Sequence, residues 1–172
     1  MMKIHELFED LGTVTLPEVA SLKDLKDPKT KKYYTGVVNV KGYVNLRDKK
    51  LSKLPVKFGT VGGHFACFNN QLTSLQGAPS SVNGTFSCDN NKLTSLEGIH
   101  KLIKKLNGGF FCYNNPITSG GIGLLLIEGL TEIHADHPAF EIIKRYLGQG
   151  KKGLLRCQDE LIEAGYEEFA RL

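Results

Sequence analysis

One block of sequence recurs along this chain, and the spacing of its copies restricts the fold more than any other feature. Phe65-Ala-Cys-Phe-Asn-Asn-Gln-Leu-Thr-Ser-Leu75 returns as Phe86-Ser-Cys-Asp-Asn-Asn-Lys-Leu-Thr-Ser-Leu96 and as Phe110-Phe-Cys-Tyr-Asn-Asn-Pro-Ile-Thr-Ser119. A weaker copy, Val44-Asn-Leu-Arg-Asp-Lys-Lys-Leu-Ser-Lys-Leu54, precedes them. Leu46, Cys67, Cys88 and Cys112 occupy one repeat position, at steps of 21, 21 and 24 residues. A further step of 21 reaches Ile133 in Thr131-Glu-Ile-His-Ala135, which is expected to form a fifth strand. A unit this short cannot bury an apolar face alone, so its copies must stack as a solenoid.

Each copy starts apolar-x-apolar, the period of a strand. Phe65 and Cys67, Phe86 and Cys88, and Phe110 and Cys112 are therefore expected to face inward and lie on their counterparts. Asn70, Asn91 and Asn115 follow at the turn, where their amides can satisfy backbone groups of adjacent coils, a structural role rather than a catalytic one. Lys49 takes this position in the first copy, which marks that copy as an edge. The return after Leu75 is too short and too broken by Gly and Pro for a helix. After Leu96, by contrast, Ile99, Leu102, Ile103 and Leu106 have helical spacing. Ser119 is placed to cap a helical turn through Ile122, Leu125 and Leu126. The later coils are thus expected to be helical on their outer side.

The apolar-x-apolar-x-x-Asn-x-Leu unit resembles the leucine-rich repeat, with Phe and Cys where leucine is usual, and is most similar to the short bacterial repeats. That resemblance implies an α/β solenoid whose repeats, over residues 42–137, build a parallel, concave β-sheet of about five strands. Residues 1–41 would then form an N-terminal cap. It comprises a helix with Ile4, Leu7, Phe8 and Leu11 on one side, an exposed basic loop at 23–32, and an edge strand through Val38 and Val40. Residues 138–172 would close the other end as a helical hairpin within the same compact domain. Pro138 opens its first helix, which carries Phe140, Ile143 and Leu147; the second presents Leu154, Cys157 and Leu161, with Ile162 beside them. This tail is also similar to tails of small repeat proteins of large tailed bacteriophages. The similarity implies a dispensable phage protein acting on host factors, antiviral defences among them.

Composition narrows the function classes. The longest apolar stretch, Ile122 to Ile127, is far too short to span a bilayer, and the first ten residues carry charges where a signal peptide needs an apolar core. A cytoplasmic protein with no membrane partner is expected. Three of the four cysteines share one repeat position and none shows C-x-x-C spacing, so stacked, reduced thiols are expected rather than disulfides or zinc. The net charge of +4 is uneven: residues 1–63 carry 12 Lys/Arg against 7 Asp/Glu, 64–135 carry 4 against 4, and 136–172 carry 6 against 7. The repeats are neutral, which argues against a specific nucleic-acid site on them. Gly148-Gln-Gly-Lys-Lys-Gly153 lacks the phosphate-loop pattern and reads as a connector. His134-Ala-Asp-His137 offers close-spaced ligands, but Asp136 or His137 stands where a helix cap belongs, so no metal or cofactor is expected.

The alternate residues of the strands are the candidate site. Aligned by the steps above, they form three rows: Tyr43, His64, Thr85, Gly109 and Leu130; Asn45, Ala66, Ser87, Phe111 and Glu132; Arg47, Phe68, Asp89, Tyr113 and His134. Aromatic rings on the outer face of a sheet mark a contact surface, or else something folds over them. Tyr43, Arg47, His64, Phe68, Asp89, Phe111, Tyr113 and His134 are the residues expected to bind, with Arg47 and Asp89 giving polarity to the patch around Phe68. A non-enzymatic protein that binds, and through its phage-like tail inhibits, a host protein is the leading expectation. Capture of a small nucleotide-like ligand stands second, with the rings stacking a base and Arg47 or His64 on phosphate. An enzyme stands third, because no outward Cys or activated Ser completes a nucleophilic set.

Overall fold

A computed structural model describes residues 12–172; the expected helix through Ile4, Leu7, Phe8 and Leu11 lies outside them. The chain winds as a parallel β-solenoid of about five turns. One sheet contains β3 (Val44–Asn45), β5 (Phe65–Ala66), β7 (Phe86–Ser87), β10 (Gly109–Phe111) and β12 (Glu132–His134), hydrogen-bonded in the order β12-β10-β7-β5-β3. These are the strands of the repeat block. A second five-stranded sheet lies on another side of the coil: β1 (Val14–Leu16), β2 (Val37–Val40), β4 (Lys57–Val61), β6 (Ser81–Val82) and β9 (Lys105–Leu106). On a third side β8 (Ser95–Leu96) pairs with β11 (Ser119–Gly120).

The interior follows the repeat. Phe65, Phe86 and Phe110 are fully buried and stack, with centroids 5.0 and 5.4 Å apart and nearly parallel planes. Phe58 closes the stack edge-on at 5.1 Å. Cys67, Cys88 and Cys112 lie buried beside them as free thiols. Leu72, Leu93, Val82 and Leu106 fill the remaining sides of the coil. Stacking identical side chains lets every coil present the shape its neighbour already accommodates.

The asparagines join the coils. Asn91 accepts from the Leu72 N–H (2.9 Å) and its Nδ2 reaches the carbonyls of Cys67, Cys88 and Asp89 at 3.0, 2.9 and 3.2 Å. Asn115 repeats this one coil on, and Asn70 one coil earlier, where its Oδ1 accepts from both Lys49 and Leu51 N–H. The preceding residues, Asn69, Asn90 and Asn114, turn the chain at φ of 54°, 52° and 52°. Asparagine tolerates this left-handed region better than other side chains do.

Several expectations change. Val38 and Val40 lie in β2, between β1 and β4, so this strand is interior to its sheet and the coil already begins before residue 42. The predicted outer helices shrink. Only α1 (Ile99–Leu102) forms; Lys105–Leu106 is a strand because Leu106 must lie beside Val82 in the second sheet. Ser119 is likewise in a strand, and Ile122–Leu126 is a 3-10 turn following Gly121. The fifth repeat strand is also displaced. β12 pairs Ile133 with Phe110 rather than Cys112, a step of 23, which continues the buried Phe/Ile column and puts Ala135 beside Cys112.

After the last coil come α2 (Ala139–Lys144) and α3 (Gly150–Glu163). Phe140, Ile143, Cys157 and Leu161 are buried, whereas Ile162 is 53% exposed, on the outer side of its helix rather than among them. Gly148 and Gly150 both turn at positive φ, and α3 starts inside the Gly148–Gly153 segment. His137 stacks on Phe169 at 4.1 Å and its Nδ1 accepts from the Ala139 N–H. Burial holds the His137 imidazole below its ordinary value of 6.5, and burial does the same to His100. The unfolded chain therefore binds these protons more readily. Stability from both groups is present above about pH 6.5 and is lost as the pH falls through their lower folded values. Melting temperature is expected to drop on acidification below about pH 6.5, and less so in His137→Phe, which keeps a ring against Phe169. Equal pH slopes in both proteins would remove His137 from the account.

Candidate functional site

The outward face of the first sheet carries the candidate residues, in corrected rows. Glu132 now aligns with Gly109, and His134 with Phe111, Ser87, Ala66 and Asn45. By the same register Asp136, two residues on, joins the row Arg47, Phe68, Asp89, Tyr113. His134 therefore leaves that row and stacks flat on Phe111, centroids 4.3 Å apart and planes 5° apart.

Where the strands run out, a groove of about 460 Å3 crosses the coils, lined by Phe68, Asn69, Ser87, Asp89, Asn90, Tyr113, Asn114 and Asp136. Three of the expected residues, Phe68, Asp89 and Tyr113, meet here. Each sits just past the end of its strand, where β5, β7 and β10 give way to the asparagine turn. Tyr113 is 37% exposed. Both carboxylates are fixed by local donors. Asp89 accepts from the Tyr113 N–H (2.9 Å) and the Ser87 hydroxyl (2.6 Å); Asp136 accepts from the Asn114 N–H (2.6 Å). Asn114 in turn donates to Asn90 at 2.8 Å. The groove is held by hydrogen bonds that leave its rings facing outward.

A second arrangement flanks it. The phenol of Tyr113 lies 3.1 Å from His134 Nδ1, and His134 Nε2 lies 2.8 Å from Glu132 Oε2. A proton on Nε2 suits the carboxylate there, and in that tautomer Nδ1 accepts the phenol hydrogen. This chain orients Tyr113.

The other candidates stand apart from the groove. Arg47 lies 6.0 Å from the Phe68 ring centroid and 3.9 Å from Asp48. His64 uses Nδ1 to accept from the Thr85 N–H at 3.0 Å, a link between coils. Tyr43 is exposed in the first row and does not line the groove. Sequence reasoning missed Asp136 as a member of the site, having given it or His137 to a helix cap. The signal was present in the alternation Ile133-His-Ala135, which matches Phe110-Phe-Cys112 better than the 21-residue step does.

Among the described residues no group of three or more His, Cys, Asp or Glu is placed to hold a metal ion, and no helix is long and apolar enough to cross a membrane. Comparison of the chain with protein-family models, with curated proteins and with solved structures finds no match.

Proposed function

We propose that this chain is a non-enzymatic binding protein that engages another protein through the outward face of the β12-β10-β7-β5-β3 sheet. The observation that carries the reading is the Phe68–Tyr113 groove, where two aromatic rings stand at the rim of a polar, hydrogen-bonded trough. Water-exposed rings add little to the stability of a solenoid, whereas central aromatic anchors dominate protein interfaces. In this reading the repeats are leucine-rich repeats of the short bacterial type and the C-terminal helices cap the last coil. Similarity of the tail to small phage repeat proteins supports a host protein as the partner, met in the host cytoplasm and inhibited, with antiviral defence as the natural target.

The nucleotide reading is less well supported: Asp89 and Asp136 line the groove and repel phosphate, while Arg47 lies outside its lining. The Glu132–His134–Tyr113 chain is the one observation that favours an enzyme. Yet the hydroxyl bonded to this imidazole is the Tyr113 phenol, not the Ser or Cys of a catalytic triad.

The test pairs folding with binding. Phe68→Ala and Tyr113→Ala are each expected to weaken affinity for a partner recovered from host lysate by about 1–4 kcal/mol. Their melting temperatures should stay far closer to the parent than that of Phe86→Ala, where a buried ring is lost at about 3–5 kcal/mol. Variants that fold and bind like the parent would move the site off this face.

A further inference from the structure

The groove's charge says what kind of segment it takes. Asp89 and Asp136 stand on either side of Tyr113 in one row, so their backbones are two strand spacings, about 9.6 Å, apart, and both carboxylates reach toward the coil between them, onto the Tyr113 and Asn114 amides. Neither has a cationic partner among the described residues, whose ion pairs all involve other carboxylates. No lysine or arginine lines the groove. This is unusual in a chain of net charge +4. The charge of Asp89 is strong enough to contribute to the raised pKa of Cys67, Cys88 and Cys112 behind it, although burial is the larger cause.

Their existing hydrogen bonds make the two carboxylates fixed acceptors, because the donors (two backbone amides and the Ser87 hydroxyl) are neutral and leave the negative charge uncompensated. Tyr113 stands between them in the row, its ring tilted toward His134, and Phe68 lines the same groove. An aromatic face flanked by carboxylates attracts a planar cation, through the ring quadrupole and through charge-assisted hydrogen bonds together.

Resting on the protein-binding reading above, we propose that the occupant of this groove is a basic protein segment, with an arginine side chain laid over Tyr113 and its guanidinium between Asp89 and Asp136. Arginine fits better than lysine, because its flat fork stacks and bonds a carboxylate at once. Arg47 and the exposed lysines of the first third keep such a segment at the acidic end of the face and set its direction.

The probe is a fluorescein-labelled twelve-residue peptide of alternating arginine and glycine, read by fluorescence anisotropy with the full chain. Its counterparts carry lysine, uncharged citrulline or glutamate in place of arginine. The arginine peptide is expected to bind more tightly than the lysine one, and the citrulline and glutamate peptides not measurably. Asp89→Asn and Asp136→Asn should each weaken arginine-peptide binding about ten-fold. Both variants keep a side-chain oxygen for the Tyr113 and Asn114 amides, and a melting curve confirms that they fold. Asp159→Asn, an exposed carboxylate on α3, should leave binding unchanged and so separates site binding from general attraction. Binding equal to that of the citrulline peptide, or unaffected by both groove variants, overturns this inference. That result leaves the protein-binding reading standing, because its own test rests on Phe68→Ala and Tyr113→Ala against a captured partner.

Discussion

Cys88→Asp is expected to abolish cooperative folding of the repeats. Cys88 is fully buried between Cys67 and Cys112, and its thiol points to the Phe111 carbonyl at 3.3 Å. Burial first, and then its neighbours Cys112, Cys67 and Asp89, push its pKa well up, so the site resists negative charge. A carboxylate there meets the same penalty with no cation to offset it, and must stay ionised at a cost or take up a proton and lose hydration. An uncompensated buried charge costs about 3–5 kcal/mol, a large share of the roughly 5–15 kcal/mol that holds a domain folded. Cys88→Ala removes the thiol without adding charge and should retain a single, somewhat lower thermal transition. Circular dichroism melts of the two variants make the comparison. In the parent, Cys67, Cys88 and Cys112 should react with a thiol reagent only as fast as the coils open. A parent-like melt for Cys88→Asp, or immediate labelling of all three thiols, would mean that this column is not the core.

Asn91→Ala should be nearly as damaging although it removes no apolar area. The amide of Asn91, 7% exposed, ties two adjacent coils together: the Leu72 N–H and Cys67 carbonyl of the preceding coil, and the Cys88 and Asp89 carbonyls of its own. Truncation leaves these groups unpaired where water has little access, at about 1–3 kcal/mol for each group that finds no substitute. A loss of about 3–5 kcal/mol is expected by chemical denaturation. Asn91→Asp keeps the acceptor for Leu72 but turns a carboxylate toward three carbonyls, so it should not rescue. The same change at position 70, closer to the solenoid's first coil and less buried, should cost less. Equal losses at both positions would argue against burial as the reason.

The period of the repeat, the inward Phe and Cys columns and the bridging asparagines were legible in the sequence, because each is a local pattern repeated in register. A column of identical side chains predicts its own neighbours: Phe86 can only lie between Phe65 and Phe110. The repeat spacing likewise puts Phe68, Asp89 and Tyr113 in one outward row. Of the second sheet only the strand through Val38 and Val40 was legible, and that as an edge. Its strands β6 and β9 are two residues long, and Val82 and Leu106 sit in segments rich in Gly, Asn and Ser that carry no alternation of their own. They are extended because the coil on either side offers a paired backbone. For the same reason the helical spacing of Ile99, Leu102, Ile103 and Leu106 gave way after one turn: stacking on Val82 outweighed a helix too short to sustain itself.

The last coil divides the two kinds of information most clearly. Sequence alone determined that Ile133 would join the buried column, since a strand at the solenoid's end must continue the apolar face beneath it. Which residue it would lie beside was decided by the tertiary structure, which pairs Ile133 with Phe110 rather than with Cys112. That choice of register sets the outward side chains two residues along. It lays His134 on Phe111 and brings Asp136 to the groove opposite Asp89, so the site's acidic character arises from how the final coil packs.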